Sequence, residues 1–349
     1  MTGIYSETLC REMELYSDFA KQDSLHTVYF GGGTPSRMQP DEIISILQKA
    51  DATFGLSQVS ETTLECNPDD ITPQFLKSVS QSGINRISLG VQTLNDRMLL
   101  AIHRRHTASQ AISAIRLCQE YGFTNISMDL IYGLPGQTVE DFRKDMEQAV
   151  KLGVTHISAY CLTYEEGTPL QKMLLQNKIT AVPDDVCADM YTELCRTLAD
   201  SGFIHYETSN FCLPGYHSRH NSSYWNGTRY LGIGSGAHSF DGNIRRWNIA
   251  DIDKYISGIR NGHPEYGYEE LSDTDKYNEL IMLSLRTSAG LSLTVMRKRF
   301  GQDLAESFLD AADRWIRKGS LIRIGDNVRM SESAMFTGDG IVSSLFRDQ

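Results

Sequence analysis

The sequence predicts an α/β fold built as a partial (β/α)6 TIM-like barrel that lacks its first strand, followed by a small α+β module. Three observations carry this. Between residues 25 and 165, short apolar runs rich in β-branched and aromatic residues recur roughly every 25 to 40 positions, each followed by a helical pattern. The runs end at glycine, proline or polar residues, as strands do when they feed right-handed βα units of a parallel sheet. Past residue 200 the texture changes to short segments crowded with aromatics and glycines, so the regular alternation stops.

In chain order, residues 6–21 read as a helix with Leu9, Met13, Tyr16 and Ala20 on one stripe. Only Gly3-Ile4-Tyr5 precedes it, which reads as the beginning of a strand that is not continued. The run Thr27-Val28-Tyr29-Phe30 is a strand that stops at three glycines. Pro40-Asp41-Glu42 opens a helix with an acidic first turn, and Ile43, Ile44, Leu47 and Ala50 supply its apolar face. A strand at 62–65, a helix at 72–82, a strand at 86–91, helices within 95–121 and a strand at 125–132 follow, the last ended by Gly133-Leu134-Pro135. A helix at 138–152 leads to a strand at 156–162. Short strands are expected across 206–240, helices at 249–262 and 272–286, and a small helical module with a two-stranded wing at 289–331. The chain thus divides into a truncated barrel at 1–165, a barrel completion at 166–270 and a winged-helix-like domain at 271–349.

Charge narrows the function. Lys plus Arg number 33 against 44 Asp plus Glu, a formal charge of -11, so a surface that coats polyanions would work against the whole-protein field. The winged module could suggest DNA, but from Leu271 onward it holds as many acidic as basic residues and offers only the run Arg297-Lys298-Arg299, which reads as a solvated helix end. Nucleic acid is not expected as a partner. No apolar run approaches the roughly 18 residues of a membrane span, and the opening residues lack a basic start followed by an apolar stretch. Seven cysteines at irregular spacing fit reduced thiols, and a soluble cytoplasmic protein is expected.

Ligands of parallel α/β sheets gather outside the carboxyl ends of the strands. The distinctive polar residues fall there. Gly31-Gly32-Gly33, followed by Thr34, lets backbone groups approach a polar ligand closely. Glu65, Gln92 and Asp129 stand at or near the ends of other strands, and Arg104 could pair with a carboxylate in fork geometry. Taken singly, a structural hydrogen bond or surface ion pair is the simpler reading of each; together they imply one site. Further on, His217 and His220 lie beside Tyr224 and Trp225, where a satisfied structural hydrogen bond is the simpler reading of a histidine next to aromatics.

The texts Tyr29-Phe30-Gly31-Gly32-Gly33-Thr34-Pro35-Ser36, Glu65-Cys66-Asn67-Pro68-Asp69, Arg86-Ile87-Ser88-Leu89-Gly90-Val91-Gln92-Thr93, Asp129-Leu130-Ile131-Tyr132-Gly133-Leu134-Pro135-Gly136-Gln137-Thr138 and Ser158-Ala159-Tyr160 resemble the radical S-adenosylmethionine family, in its coproporphyrinogen oxidase-like branch. The HNxxYW signature at residues 220–225 is similar to that of its HemW-type heme chaperones, and the resemblance runs from about residue 9 to the C-terminus. It implies S-adenosylmethionine, with the GGGTP backbone on its amino group, Arg104 on its carboxylate, Gln92 and Asp129 on the ribose and Glu65 lining the pocket. It also implies heme as cargo, with His217, His220, Tyr224 and Trp225 as candidate contacts and heme-accepting proteins, such as membrane respiratory enzymes, as partners. The alternative within the same family is an oxygen-independent coproporphyrinogen III oxidase-like radical enzyme of porphyrin biosynthesis. Two departures stand out: His103 occupies a place where the family usually has glycine, and the CxxxCxxC that holds a [4Fe-4S] cluster is absent. Radical catalysis is therefore not expected of these residues, and no metal ligands are assigned.

Overall fold

A computed structural model describes residues 2–19 and 24–348. Five parallel strands, β1 (Thr27–Phe30), β2 (Glu61–Cys66), β3 (Arg86–Gln92), β4 (Asn125–Tyr132) and β5 (His156–Cys161), pair in sequence order. The antiparallel pair β6 (Ile204–Glu207) and β7 (Asn210–Cys212) then continues the sheet from β5 in the order β5-β7-β6. Among the described residues β1 is an edge, paired only with β2.

The strands alternate rather than run apolar throughout. Register places Glu65 beside Ser88, Ser88 beside Ser127, Ser127 beside His156 and Asp129 beside Ser158, all on one face. That face is the polar inside of the curl. The other face carries Leu64, Ile87, Leu89, Ile126, Met128, Leu130 and Ile157, buried under the crossover helices. These are α2 (Pro40–Phe54), α3 (Pro73–Val79), α4 (Asp96–Ala101), α5 (Ala108–Glu120), α6 (Val139–Lys151), α7 (Pro169–Leu175) and α8 (Asp184–Asp200), preceded in the chain by α1 (Thr2–Leu15). Thr72, Thr107 and Thr138 cap α3, α5 and α6 through their side-chain oxygens.

Gly3-Ile4-Tyr5 is not the stub of a strand: it forms the first turn of α1. Tyr5, Leu9, Glu12 and Met13 lie at helical spacing, and tertiary contacts hold this face. The Tyr5 hydroxyl accepts from the Ser235 amide at 3.2 Å, and the fully buried Glu12 accepts from Gly234 N, Asn248 Nδ2 and the Tyr255 hydroxyl at 2.6–2.8 Å. Met13 packs on Ile46 and Ala50 of α2. The helix ends at Leu15, earlier than the stripe predicts, and Ala20 and Lys21 lie outside the described residues.

The segment expected as short strands does hold strands at its two ends, within 204–212 and at 238–240, but between them lies a helix, α9 (Arg219–Trp225). Its start is set by Ser218, whose Oγ accepts from Asn221 N, and by a carboxylate from another part of the chain. Buried Glu61 at the start of β2 accepts from Arg219 N at 3.0 Å and His220 N at 2.9 Å, satisfying two orphan amides. A three-stranded antiparallel sheet, β8 (His238–Phe240), β9 (Ile244–Asn248) and β10 (Tyr266–Glu270), flanks α10 (Ile252–Asn261). The C-terminal part comprises α11 (Asp273–Leu285), β11 (Leu291–Ser292), α12 (Leu293–Phe300), α13 (Gln302–Arg317), β12 (Leu321–Ile324), β13 (Asn327–Met330), α14 (Glu332–Met335) and α15 (Gly338–Ser343). Its wing is the β12–β13 hairpin, which the two residues of β11 extend to three strands. Among the described residues no helix is long and apolar enough to cross a membrane.

Candidate functional site

At the carboxyl rim of β1, Gly32 and Gly33 take left-handed φ angles of 76° and 58°, which Cβ-bearing residues resist. Gly31 is required for a different reason: a Cβ there would run into the Tyr29 ring and come within 3.1 Å of Glu65 Oε1. Half-buried Thr34 closes the loop ahead of a 3-10 turn at Pro35–Arg37. Ser36 Oγ braces the turn, donating to Asp70 at 2.7 Å and accepting from Asn67 N at 3.1 Å.

Glu65 binds both sides of this loop. One carboxylate oxygen accepts from the Tyr29 hydroxyl at 2.5 Å and the other from Gly32 N at 3.2 Å. Asp129 accepts weakly from Ser88 Oγ at 3.3 Å and stands near enough to Glu65 and Arg104 for their charges to act on one another. Burial pushes the Asp129 carboxyl up to about 6, with Glu65 adding to the rise and Ser158, Arg86 and Ser88 opposing it.

Gln92 ends β3 past a bulge, at a φ of 71°. A glutamine held left-handed costs on the order of 1–3 kcal/mol, and such strain gathers at ligand sites. The turn is held from beneath by buried Asp145 of α6, which accepts from Thr93 Oγ1 at 2.7 Å and Leu94 N at 2.9 Å. Arg104 reaches back to the Gly90 carbonyl at 2.9 Å, while its Nε is buried without a partner. Gly90 makes the approach possible, since a Cβ there would lie 2.8 Å from Arg104 Nη2 and 3.1 Å from Gln92 Nε2. His103, just before Arg104, is left-handed at a φ of 56°, a conformation that glycine adopts without strain.

The rim thus brings Gly31, Gly32, Gly33, Glu65, Gln92, Arg104 and Asp129 together. Tyr29, Asn67, Gly90 and Asp145 belong to the same construction and were not singled out from the sequence. The period-two alternation in Thr63-Leu64-Glu65-Cys66, Arg86-Ile87-Ser88-Leu89 and Ser127-Met128-Asp129-Leu130 was the signal that would have found the inner face.

Deeper in the curl, His220 on α9 stacks on Tyr29 with ring centres 4.5 Å apart, meets Tyr224 edge-on and shares a 3.0 Å hydrogen bond through Nδ1 with Thr27 Oγ1. Burial lowers its imidazole to about 4, with Arg86 acting in the same direction and Glu61 against it. His217 does not join this group. It is exposed, its ring edge toward Tyr206 at 6.1 Å. Tyr224 and Trp225 line a cavity of about 500 Å³ together with Tyr160, Glu207, Asn210 and Arg286. Trp225 Nε1 and Asn210 Oδ1 are buried there without partners. Below, Arg86 and His156 fill the inner face, the imidazole held between Ser127 Oγ and the Tyr206 hydroxyl at 2.8 Å each.

The fit of two cofactors can be judged from these donors. The rim suits an amino acid joined to a nucleoside: backbone amides, a cationic fork with a spare donor and a carboxylate for hydroxyls. A [4Fe-4S] cluster does not fit, because among the described residues no three cysteines converge, and Cys66, the thiol nearest the glycine loop in the pairing of β1 with β2, faces the apolar outer layer. No chemical step is derived through such a cluster.

Residues 5–149 match the family model of the Radical SAM superfamily and residues 271–337 that of the HemN C-terminal domain. A heme chaperone HemW of Mycobacterium tuberculosis is 35% identical over 314 residues, covering 88% of this chain and 80% of that one. The heme chaperone HemW of Lactococcus lactis is 31% identical over 352 residues, 100% of this chain and 92% of its own. A mitochondrial radical S-adenosyl methionine domain-containing protein 1 of Danio rerio is 33% identical over 296 residues, 82% of this chain and 67% of its own. Among solved structures, coproporphyrinogen III oxidase (HemN) from Escherichia coli superposes with a TM-score of 0.84 at 19% identity, covering 99% of this chain and 83% of that one, which establishes the shared fold.

Proposed function

We propose that this chain, which belongs to the HemW family of the radical S-adenosylmethionine superfamily, binds heme and passes it to recipient proteins. The observation that carries this reading is α9, where the HNxxYW residues sit on one short helix against a cavity of about 500 Å³ with Tyr224 and Trp225 in its wall. Flat aromatic walls suit a tetrapyrrole face, and Arg286 supplies a cation for a propionate. His220 has its Nδ1 engaged by Thr27, which leaves Nε2 as the nitrogen for iron; exposed His217 is the second candidate. The rim of Gly31–Gly33, Thr34, Glu65, Gln92, Arg104 and Asp129 is read as the seat of S-adenosylmethionine. Recipients would be heme-dependent proteins, membrane respiratory enzymes among them, met from the cytoplasm, a setting that suits seven free thiols.

Hemin titration of the purified chain tests the reading. A saturable Soret shift near one equivalent is expected, weakened about tenfold or more by Trp225→Ala and lost with either His220→Ala or His217→Ala, whichever supplies the ligand. Absence of a saturable shift, or three variants that behave as the parent does, would refute it.

A further inference from the structure

A second cluster of ligand-type side chains lies away from the rim and borders the heme-side cavity at Thr208 without sharing a residue with its lining. Cys195 of α8, His205 of β6 and Glu332, the first residue of α14, bring a thiol, an imidazole nitrogen and a carboxylate oxygen within 4.8 Å of one another. His205 Nδ1 stands 4.0 Å from Cys195 Sγ and 3.5 Å from Glu332 Oε1. In a tetrahedral zinc site, bond lengths of about 2.3 Å to sulfur and about 2.0–2.1 Å to nitrogen or oxygen place sulfur and nitrogen about 3.6 Å apart, and nitrogen and oxygen about 3.4 Å apart. The spacing found here is close to that even without an ion.

The surroundings fix which atoms face inward. His205 Nε2 lies 3.4 Å from the Thr208 carbonyl, an acceptor only, so this nitrogen carries the proton and Nδ1 presents its lone pair to the cluster. A ring nitrogen that ligates metal commonly has its partner nitrogen donating to a backbone carbonyl in this way. Phe211 stacks on the imidazole at 4.2 Å and 11°, and Tyr191 meets it edge-on, so the ring orientation is set by packing. With that tautomer, a lone pair and a carboxylate oxygen confront each other with only the Cys195 proton to share, an arrangement that a cation resolves.

We propose that Cys195, His205 and Glu332 form a binding site for a divalent transition metal of the zinc class, with the fourth position open to water. The three ligands come from the end of the barrel and from the C-terminal module, so a bound ion would staple α14 to α8 and β6. The site uses none of the residues assigned to heme or to the nucleoside rim.

The test uses the full chain, stripped with chelator and titrated with Co²⁺ alone and then Zn²⁺. One Co²⁺ per chain is expected, with a thiolate-to-metal charge-transfer band in the near ultraviolet that one equivalent of Zn²⁺ displaces, and a melting temperature raised by Zn²⁺. Cys195→Ser should abolish the band. Glu332→Gln, at an exposed position that does not threaten folding, should weaken Zn²⁺ binding at least tenfold and remove most of the thermal shift. Cys161→Ser, which deletes a thiol elsewhere, should leave both intact. No uptake above a chelator-competed baseline, or equal binding by the parent, Cys195→Ser and Glu332→Gln, would overturn the proposal, as would loss of the band in Cys161→Ser.

Discussion

Replacing Asp129 by Asn should make the protein more stable at neutral pH while weakening its hold on a nucleoside ligand. The carboxyl is pushed up to about 6 from an ordinary 3.8, chiefly by burial. A carboxylate raised in the folded state destabilises it as pH climbs through that window, because the native form binds the proton more tightly than the unfolded chain does. The stability is fully present below about pH 3.8 and is lost as pH approaches and passes 6. At about 1.4 kcal/mol for each tenfold gain in proton affinity on folding, the limit is about 3 kcal/mol at pH 7.5, about 1.6 at pH 5 and about 0.5 at pH 4. Water reaches part of this side chain, so about half of each figure is the expected effect. Asn is isosteric with the protonated acid and can still accept from Ser88, so its gain over the parent should trace that same pH curve. Urea unfolding at pH 4, 5 and 7.5 measures it, with isothermal titration of S-adenosylmethionine alongside. A variant destabilised equally at all three pH values, with ligand affinity unchanged, would show that Asp129 is a structural acceptor and that its burial carries no proton-linked cost.

His103→Gly should raise stability by about 1 kcal/mol, because glycine adopts the left-handed φ of 56° without strain and this outweighs its greater unfolded-state freedom; a shift in urea midpoint reads it. Gly90→Ala should leave the fold intact, since its new methyl meets the mobile ends of Arg104 and Gln92 rather than backbone, yet it should cut S-adenosylmethionine affinity about tenfold by displacing both, as calorimetry would report. Glu61→Ala strands the amides of Arg219 and His220 at the start of α9 and should cost about 2–4 kcal/mol, with Trp225 fluorescence and hemin affinity changing together. If hemin affinity is unmoved while stability falls, α9 does not form the heme seat.

Most of the barrel was legible because each strand and crossover helix carries its own period. The runs at 27–30, 86–91 and 125–132 match β1, β3 and β4 to within a residue, and the threonine caps mark helix starts that a local reading can see. What failed depended on partners far along the chain. Nothing in residues 3–5 reveals that Tyr5 will meet Ser235, or that Glu12 will be enclosed by Gly234, Asn248 and Tyr255. Likewise α9 begins where Glu61, more than 150 residues earlier, supplies its acceptors, so glycines and aromatics alone suggested short strands. The rim residues could be placed at strand ends from pattern, but the support under them, Asp145 beneath Thr93 and Gly90 beneath Arg104, arises only from three-dimensional contact.

We propose that the inner face is a binding surface rather than a structural network, on the strength of its unmet hydrogen bonds. The outer face of the sheet is apolar and closed by helices, so it supplies the burial that holds the barrel together. The inner face adds little of that, yet it carries Arg86 fully buried, Asp129 with its carboxyl raised and Gln92 strained. A network kept for stability would satisfy its members, since each buried unpaired group costs about 1–3 kcal/mol. Here Thr63 Oγ1 and Arg86 Nε on the inner face, Arg104 Nε at the rim, and Asn210 Oδ1 and Trp225 Nε1 at the cavity by α9 are buried without hydrogen-bond partners. Tyr29 joins the rim to α9, its hydroxyl on Glu65 and its ring on His220. We propose that a face built this way keeps donors and acceptors in reserve for molecules that bring their own, and on that reading removing the Asp129 charge should stabilise the chain and impair it at once.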